Sequence, residues 1–397
     1  MTPPLSGIRV LELGQLIAGP FCGQMLADFG AEVLKIEPPK TGDSMRQWGR
    51  TDDEGRPVWW SVIARNKRSV TLNLRMSEGQ EVLKKLVAEA DILIENFRPG
   101  TMERWGLGYD ALSQINPRLI MVRISGFGQT GPYASRAGFA SVCEAMGGLR
   151  YIAGYPDRPS VRAGISLGDT LAGTFGAMGA LLALQARHQT GKGQVVDSSI
   201  YESSLAMTEA IVAEFDAGGH VRQRTGPSLP GIAPSNAYPC ADGRDIIIGA
   251  NQDTVYQRLC AAMDRPDLAT DPRFATHRAR GEHAAEIDAI IADWTAQHVS
   301  ADVLQRMTEA GVPAGLEFTA ADMLKDPHYL ERESIVRVED PSGKSLAMQN
   351  VFPRLLSTPG EIRHTGPALG QDTDHVLNDL LGLSENDVTT LRKLGAI

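Results

Sequence analysis

Asp169 is the residue whose type and surroundings best fit a catalytic role in this sequence. Gly164–Gly168 ahead of it carry no charge, and residues 170–184 behind it form an apolar run that predicts a helix. A carboxylate in the first turn of a helix can simply cap it, because free backbone N–H groups and the helix dipole favour an anion there. A helix that is apolar nearly all round is buried, however, so Asp169 would lie at the edge of a core. The glycines at 173, 176 and 179 also leave room for a ligand or another backbone. These two features favour a functional carboxylate over a cap.

The elements that must position Asp169 follow a pattern of strands alternating with helices. Such alternation predicts βαβ units and a mostly parallel sheet, in which ligands bind beyond the carboxyl ends of the strands. The loops of interest are therefore residues 14–20, 96–100 and 126–132. The predicted strands are Ile8–Leu13, Glu32–Glu37, Ser69–Leu74, Asp91–Glu95, Arg118–Ser125 and Gln194–Asp197, and the predicted helices are 18–29, 77–90, 170–184, 198–217, 252–263, 283–297, 301–310, 374–381 and 384–394.

Composition indicates a cytoplasmic protein and argues against several function classes. A net charge of −9 and a pI near 5.5 disfavour a nucleic-acid partner. The four cysteines are widely spaced, as expected for reduced thiols, and the N-terminus lacks a signal-peptide pattern. The apolar stretches are broken by glycine, threonine or charge short of a spanning length, so we predict no membrane association. The eight histidines are scattered, and no metal site is predicted.

A change of composition divides the chain. Residues 218–231 are rich in Gly, Pro and Arg without apolar periodicity, which predicts a linker. We predict that residues 1–217 form most of a large α/β domain, that 232–332 form a smaller α+β domain, and that 333–397 return to complete the large domain. The helices at the end of the return segment have apolar faces, which must bury against the N-terminal sheet.

Three motifs have more than one interpretation. Gly126–Gly131 matches Gly-x-Gly-x-x-Gly after a strand, but Pro132 follows at once and no helix is predicted there, so we reject a dinucleotide site. Arg65–Arg68 is a basic turn that is either solvated surface or, with Arg75, a site for a phosphorylated cofactor. Glu95–Arg104 is either a strand end with a helix cap or a nucleotide site that offers an amide, an aromatic ring and two arginines.

Taken together, the motifs resemble those of the class III coenzyme A transferases. That family includes formyl-CoA transferases, carnitine CoA-transferases and succinyl-CoA-dependent dicarboxylate transferases. The resemblance spans essentially the whole chain, and the combination is more specific than any single motif. The matching segments are Gly19–Glu37, Asn66–Ser69, Glu95–Gly100, Ser125–Pro132, Gly168–Asp169, Thr190–Gln194 and Pro367–Thr373.

The resemblance implies a Rossmann-like sheet domain built from both termini, a smaller α+β domain, and two ring-shaped subunits interlocked as a homodimer. It also implies that Asp169 is the nucleophile, which passes through an aspartyl anhydride and an aspartyl-CoA thioester and so divides one hard transfer into easier steps. Coenzyme A enters as an acyl-CoA substrate, with a small carboxylic acid as its acceptor, and no cofactor is bound permanently. The residues implied around CoA are Gln15, Leu16, Ala18, Leu72, Arg75, Asn96, Phe97, Arg98 and Arg104, and those of the substrate pocket are Ile17, Phe139 and Gly231.

Two departures from the family pattern narrow the activity. Ile17 replaces a glutamine and Phe139 a tyrosine of the formyl-CoA transferases, which disfavours oxalate/formate exchange. The family also contains 2-methylacyl-CoA racemases, but their catalytic histidine corresponds to Phe139, which cannot act as a base. The leading prediction is therefore a CoA-transferase with a small organic acid, such as a dicarboxylate, as acceptor and an acyl-CoA such as succinyl-CoA as donor. The alternatives are the racemase and a non-catalytic acyl-CoA-binding protein, against which the intact Asp169 speaks.

Overall fold

The computed structural model of the protein describes residues 2–53, 55, 57–340 and 342–397. The chain divides into two compact units. Unit 1 comprises Met1–Arg150, Arg162–Ala213 and Glu333–Ile397, and unit 2 comprises Tyr151–Val161 and Glu214–Arg332. Both termini thus belong to one unit, and a short segment, 151–161, leaves it before the element that carries Asp169.

The strands, in chain order within the described residues, are β1 Arg9–Glu12, β2 Glu32–Glu37, β3 Lys67–Thr71, β4 Ile92–Glu95, β5 Ile120–Ser125, β6 Val195–Ser199, β7 Ser235–Pro239, β8 Asp245–Gly249, β9 Ala314–Leu316, β10 Ile335–Glu339 and β11 Ser345–Gln349.

The α-helices are α1 Ala18–Asp28, α2 Val58–Ile63, α3 Ser77–Ala88, α4 Thr101–Arg104, α5 Tyr109–Ile115, α6 Ala140–Met146, α7 Leu149–Ile152, α8 Leu167–Thr190, α9 Ile200–Leu205, α10 Ile211–Gly218, α11 Asp253–Ala262, α12 His277–Glu282, α13 Ala284–Thr295, α14 Ser300–Glu309, α15 Ala320–Met323, α16 Pro327–Glu331, α17 Thr373–Leu381 and α18 Glu385–Leu394; single 3₁₀ turns occupy Ser44–Gln47 and Pro266–Ala269.

A six-stranded, fully parallel sheet forms the centre of unit 1, in the order β3-β2-β1-β4-β5-β6. This confirms the predicted α/β class with its parallel sheet. The strand order reverses between β1 and β4, and in sheets of this type ligands bind in the crevice beyond that reversal.

Alternate side chains of the strands bury in two apolar layers, one on each face of the sheet. Leu11 and Leu93 face a layer completed by α3, α5, α17 and α18. Val10 and Ile92 face the opposite layer, which α1 and α8 complete. Burial on both faces explains why the central strands are continuous apolar runs in the sequence.

Unit 2 has a smaller sheet of its own. Strands β7, β8 and β9 pair antiparallel in that order. Ile246 and Ile248 of β8 point into a core shared with α11, α13 and α14, which includes Tyr256, Ile287 and Met307.

Several predicted boundaries are corrected by the structure. The third strand begins at Lys67 rather than Ser69 and ends at Thr71, and the helix predicted over 198–217 is two helices, α9 and α10. The helix after Gly126–Gly131 begins only at Ala140, which confirms the rejection of a dinucleotide site in that loop.

The basic turn Arg65–Arg68 is also corrected. Arg65 and Lys67 are 2% and 1% exposed, and their cations pair with Asp28 at 2.6 Å and Glu12 at 2.7 Å. These two side chains are neither solvated surface nor available to a phosphate, because buried carboxylates already occupy them.

Helix α8 is longer than predicted, at 24 residues. It is the one helix in the described part of the chain that is long and apolar enough to cross a membrane by length and composition, with a mean hydropathy of 1.4 over 18 residues. The expectation that apolar stretches fall short of such a length is therefore wrong here. One face of α8 packs on α1 and the sheet, as the core helix of an α/β unit does.

The glycines of α8 set how closely it approaches that layer. A Cβ on Gly173 would lie 2.8 Å from the carbonyl oxygen of Ala18, and one on Gly179 would lie 2.4 Å from Val196. The space that the glycines leave on this face of α8 is thus filled by the α1 backbone and β6. The sequence left open whether these glycines make room for a ligand or for another backbone. At Gly173 the structure shows another backbone.

A buried network of charges lies beneath the loop after β1. The Glu12 carboxylate is fully buried and pairs with Lys35 at 3.1 Å and with Lys67 at 2.7 Å. Lys35 also pairs with Asp43 at 2.7 Å and donates to the carbonyl oxygen of Gly14. Burial opposes protonation of Lys35, but Asp43, Glu12 and Glu37 outweigh it and raise the pKa of the ammonium. Displacing one partner of such a pair is strongly destabilising, because the other charge is then buried without compensation.

Gly23 on α1 makes room for this network. A Cβ at position 23 would lie 1.9 Å from Glu12 Oε2, and the two lysines hold that carboxylate in place. We expect Gly23→Ala to lower the free energy of unfolding by about 1–3 kcal/mol, as overpacking of a buried site does. Urea denaturation measures the change.

Gly218→Ala is the matched control, because Gly218 ends α10 with an ordinary φ and no described residue lies within 4 Å of the added methyl group. It should stay within about 0.5 kcal/mol of the wild type. Equal effects of the two substitutions would contradict the steric argument.

Candidate active site

Two loops meet where the strand order reverses, one after β1 and one after β4. The N–H of Gln15 donates to Asn96 Oδ1 at 2.7 Å, and Asn96 Nδ2 donates back to the carbonyl oxygen of Gln15 at 2.8 Å. Leu16 has a φ of +65°, a left-handed conformation that is strained for a leucine. Its N–H donates to Asp43 Oδ1 at 2.9 Å, so the buried charge network holds the strained residue in place.

A cavity of about 420 Å³ lies beyond this loop, and the Asp169 side chain lines it. The residues around it come from the ends of β1, β4 and β5 and from the starts of α6 and α8, as the parallel sheet requires. Its lining comprises Leu16, Ile17, Ala18, Trp48, Asn96, Arg98, Ile124, Ser125, Gly126, Ala137, Gly138, Phe139, Ala140, Ser141, Arg162, Ser166, Asp169 and Ile200.

Asp169 lies in the first turn of α8, two residues after Leu167. Its carboxylate is partly buried and, within the described residues, accepts no hydrogen bond. A side-chain cap of the first turn would require such a bond, and the N-cap residue of α8 is Ser166. A carboxylate that is desolvated yet not hydrogen-bonded keeps its lone pairs available for reaction.

Glu144 on α6 is the nearest structural support of this turn. Its Oε1 accepts the N–H of Gly168 at 2.9 Å, and the side chain is 3% exposed. A Cβ at position 168 would lie 2.8 Å from Glu144 Cγ, so the glycine is needed for the carboxylate to reach the helix N-terminus. The hydrogen bond fixes the residue immediately before Asp169.

Burial and the nearby charge of Glu144 raise the pKa of Asp169 to about 6, although Arg162 opposes them. Burial, with the charges of Asp169 and Glu144, raises the pKa of the Cys143 thiol to about 11. Asp169 and Glu144 therefore place two carboxylates near each other where water screens them poorly. A carboxyl group with a pKa well above its usual range marks a candidate reactive group.

A second, larger cavity of about 840 Å³ adjoins the first at Arg98, which lines both. Lys40, Arg75 and Arg98 supply positive charge around it, and the rings of Phe97 and Trp105 pack edge-to-face at 5.3 Å in its wall. Cations and aromatic rings in one cavity suit a ligand that carries phosphates and a base.

The structure brings most of the predicted site residues to these two cavities. Gln15, Leu72, Arg75, Phe97 and Arg98 line the larger one, and Leu16, Ile17, Ala18, Asn96, Arg98, Phe139 and Asp169 line the smaller one. Arg104 lines neither; its Nη2 donates to Thr101 Oγ1 at 2.9 Å, and Thr101 belongs to the larger cavity. Gly231 belongs to unit 2.

Three residues of the site were not predicted from the sequence. Glu144 gives no signal, because it is one charge within an apolar segment. Trp48 lines the smaller cavity from a loop without periodicity. Arg162 opens the same stretch that ends at Asp169, and it is the nearest positive charge before that residue in the sequence.

Comparison with known proteins agrees with this geometry. The profile of CoA-transferase family III matches residues 5–373. The chain belongs to that family. It is 57% identical over 389 residues to the succinyl-CoA–D-citramalate CoA-transferase of Chloroflexus aurantiacus, covering 98% of this chain and 97% of the relative. It is 42% identical over 394 residues to the beta subunit of the succinyl-CoA–L-malate CoA-transferase of the same organism, covering 98% and 97%.

A solved structure is similar over nearly the full length as well. A CAIB/BAIF family protein from Brucella suis superposes with a TM-score of 0.85 at 35% identity, covering 96% of this chain and all of that one. The predicted family and the predicted CoA-transferase activity on an acyl-CoA are thereby confirmed.

The raised pKa of Asp169 predicts how this residue affects stability. In the unfolded chain the carboxyl titrates near 3.8 and in the folded protein near 6, so the folded state binds more protons between these values. Protonated Asp169 therefore favours the folded state below about pH 4. This contribution to stability is lost as the pH rises from about 4 to about 6, and it is absent at higher pH. We expect Asp169→Asn to raise Tm at pH 8, with a gain that shrinks toward pH 4.

Thermal unfolding at both pH values, followed by fluorescence, measures this gain. In a Glu144→Gln background the gain should be smaller, because part of the repulsion is already gone. Asp157→Asn is the control, since that carboxylate is 75% exposed and should leave Tm unchanged. A Tm gain from Asp169→Asn that is the same at pH 4 and pH 8 would contradict the assignment.

Proposed function

We propose that this enzyme transfers CoA from succinyl-CoA to a small dicarboxylate through covalent intermediates on Asp169. The observation that carries the proposal is the position of Asp169. A partly buried carboxylate that accepts no hydrogen bond from the described part of the chain lines a cavity that adjoins a larger, cation-lined one. The names of the relatives from Chloroflexus aurantiacus, with succinyl-CoA as donor and a dicarboxylate as acceptor, support the substrate class.

In this proposal the nucleotide of CoA occupies the larger cavity. Arg75 and Lys40 bind its phosphates, and Phe97 offers an apolar ring to the adenine. Gln15, Leu72 and Arg98 line the route by which pantetheine reaches the smaller cavity, and Arg104 contributes its charge beside Thr101. The thioester then lies next to Asp169, between Ile17 and Phe139.

The reaction proceeds by two exchanges of an acyl group on Asp169. A carboxylate oxygen of Asp169 attacks the thioester carbonyl, the C–S bond breaks, and an aspartyl anhydride and CoA thiolate form. The thiolate attacks the Asp169 carbonyl carbon, which gives an aspartyl-CoA thioester and releases succinate. The acceptor carboxylate then attacks this thioester, and the same steps in reverse form the new acyl-CoA and restore Asp169.

The lining of the smaller cavity disfavours the racemase alternative. A racemase must remove an α-proton and return it to the other face of the carbon, which takes positioned acid–base side chains. Phe139 is 67% exposed at the cavity and cannot accept a proton, and no histidine is present among the described residues that line the cavity.

We expect Asp169→Ala and Asp169→Asn to abolish transfer while CoA binding persists. Neither side chain can form an acyl intermediate by this route, and the residues proposed for CoA binding are unchanged. The measurement combines steady-state transfer from succinyl-CoA with mass spectrometry of the digested protein. After incubation with succinyl-CoA, the wild-type peptide that contains Asp169 should gain the mass of a CoA thioester.

Asp110→Ala serves as the control, because Asp110 is exposed in the first turn of α5 and lines neither cavity. An Asp169→Ala variant that keeps more than about a tenth of wild-type turnover would sink the covalent mechanism, since that loss is only ~1.4 kcal/mol of barrier.

We also propose that two copies of the chain interlock as a homodimer. Helix α8 buries one stripe against α1 and the sheet but leaves an apolar stripe uncovered along its other side. An apolar face of this kind on a folded protein marks a contact with a partner. The exposed apolar residues on α8 and the neighbouring α6 are Met178, Leu181, Leu182, Val142 and Met146.

The dimer predicts that the purified chain does not dissociate on dilution. Interlocked subunits part only when they unfold, so dissociation and unfolding should be one event whose urea midpoint rises with protein concentration. Sedimentation velocity at nanomolar protein checks this, and a folded, active monomer there would refute the arrangement. A requirement for a second, different chain would instead resemble the L-malate relative, which is named as a beta subunit.

A further inference from the structure

Arg162 lines the smaller cavity and forms no salt bridge among the described residues, although its charge acts on Asp169 and opposes the rise in the pKa of that carboxyl. Its Nε donates to the carbonyl oxygen of Ile165 at 3.1 Å, and its Nη2 donates to Ser166 Oγ at 3.3 Å. A guanidinium has five N–H groups, so three remain for a ligand. These two local bonds fix the orientation of the side chain beside Asp169.

The charges that line the smaller cavity are Asp169, Arg98 and Arg162. An acceptor carboxylate must come within bonding distance of the Asp169 acyl carbon, and a dicarboxylate brings a second negative charge into the same space. Like charges held a few ångström apart repel strongly where water screens them poorly. A cation that lines the same cavity would offset this repulsion and bind the second carboxylate, so that only the first one meets the Asp169 acyl carbon.

The two arginines differ in position. Arg98 lines both cavities, so it lies at the junction through which pantetheine must pass. Arg162 lines only the smaller cavity. It is therefore the arginine available to the part of an acyl group that extends beyond the thioester. Three serine hydroxyls accompany it in the lining, and that of Ser125 accepts the N–H of Gly128 at 2.9 Å, which leaves its own proton free to donate.

We propose that the Arg162 guanidinium binds the distal carboxylate of a short dicarboxylic acyl group and so selects dicarboxylates over monocarboxylic acids. The inference rests on the proposed function, because it concerns the acyl group that Asp169 exchanges. A planar guanidinium meets a carboxylate with two parallel hydrogen bonds, which a lysine cannot reproduce. Arg162 is exposed in the free protein, so the selectivity should be moderate, on the order of tenfold to a hundredfold.

The test measures binding in an Asp169→Asn background, in which no transfer consumes the ligand. Isothermal titration gives Kd for succinyl-CoA and for butyryl-CoA, which has the same chain length but a methyl group in place of the distal carboxylate. The parent should prefer succinyl-CoA. Arg162→Gln should weaken succinyl-CoA at least tenfold and leave butyryl-CoA within about threefold, and Arg162→Lys should fall between.

Arg136→Gln is the matched control, because Arg136 stacks on Tyr133 at 3.5 Å in the preceding loop and does not line the cavity. It should leave both affinities unchanged. Equal weakening of both ligands by Arg162→Gln, no weakening of either, or a parent without preference for succinyl-CoA would each overturn the proposal.

The proposed function is tested separately, with wild type and a panel of dicarboxylates. If the wild type transfers CoA between dicarboxylates but the Arg162→Gln variant keeps its preference for succinyl-CoA, only the role of Arg162 is refuted. A wild type without any such transfer would refute the proposed function itself.

Discussion

The ion pairs of Glu12 with Lys35 and Lys67 are the interaction on which the site geometry depends. These groups are almost fully buried at the end of β1, within β2 and at the start of β3, where an apolar core would ordinarily continue. Desolvating such charges opposes folding, so the pairs add little to net stability. They specify geometry instead, since Lys35 is also bound to Asp43 and to the carbonyl oxygen of Gly14. Apolar side chains could fill this space but could not hold Leu16 in a left-handed conformation through the Asp43 carboxylate.

The opposite wall of the smaller cavity is supported by a different charge. Glu144 holds the N–H of Gly168 and raises the pKa of the neighbouring carboxylate. The wall at the loop after β1 is thus fixed by paired charges. The wall at α8 is fixed by the Glu144 carboxylate, which repels Asp169. Desolvation and repulsion at Asp169 lower the stability of the folded protein at neutral pH, as is common for functional residues.

Much of this could be predicted from the sequence. The apolar runs at 8–13, 32–37 and 91–95 predicted the parallel sheet, because strands buried on both faces have little polar alternation. Asp169 was predicted as well, because burying an unpaired carboxylate beside an apolar helix opposes folding and so indicates a functional role. The motifs at 14–20 and 96–100 placed the two loops that the strand order brings together.

The rest could not be predicted, for physical reasons. Arg65–Arg68 was misinterpreted because four consecutive polar residues ordinarily lie in water, and their burial depends on Asp28 and Glu12, which are distant in sequence. Glu144 was missed for the same reason, as its partner Gly168 is 24 positions away. The role of Gly23 is set by a carboxylate on another element, so no local pattern reveals it.

The close contact between α8 and α1 has a consequence for how new substrate preferences can evolve. Gly173 and Gly179 bring α8 against the backbone of α1 and against β6, so side chains cannot be enlarged on that side of the helix. This face of α8 therefore has a fixed spacing from its neighbours and tolerates only small residues at these positions. Variation is easier in the loop walls of the smaller cavity, at exposed positions such as 139 and 162, where a side chain can change without moving the sheet. Related enzymes should consequently diverge in substrate choice by a few loop substitutions, while the helix that carries the aspartate keeps its small residues.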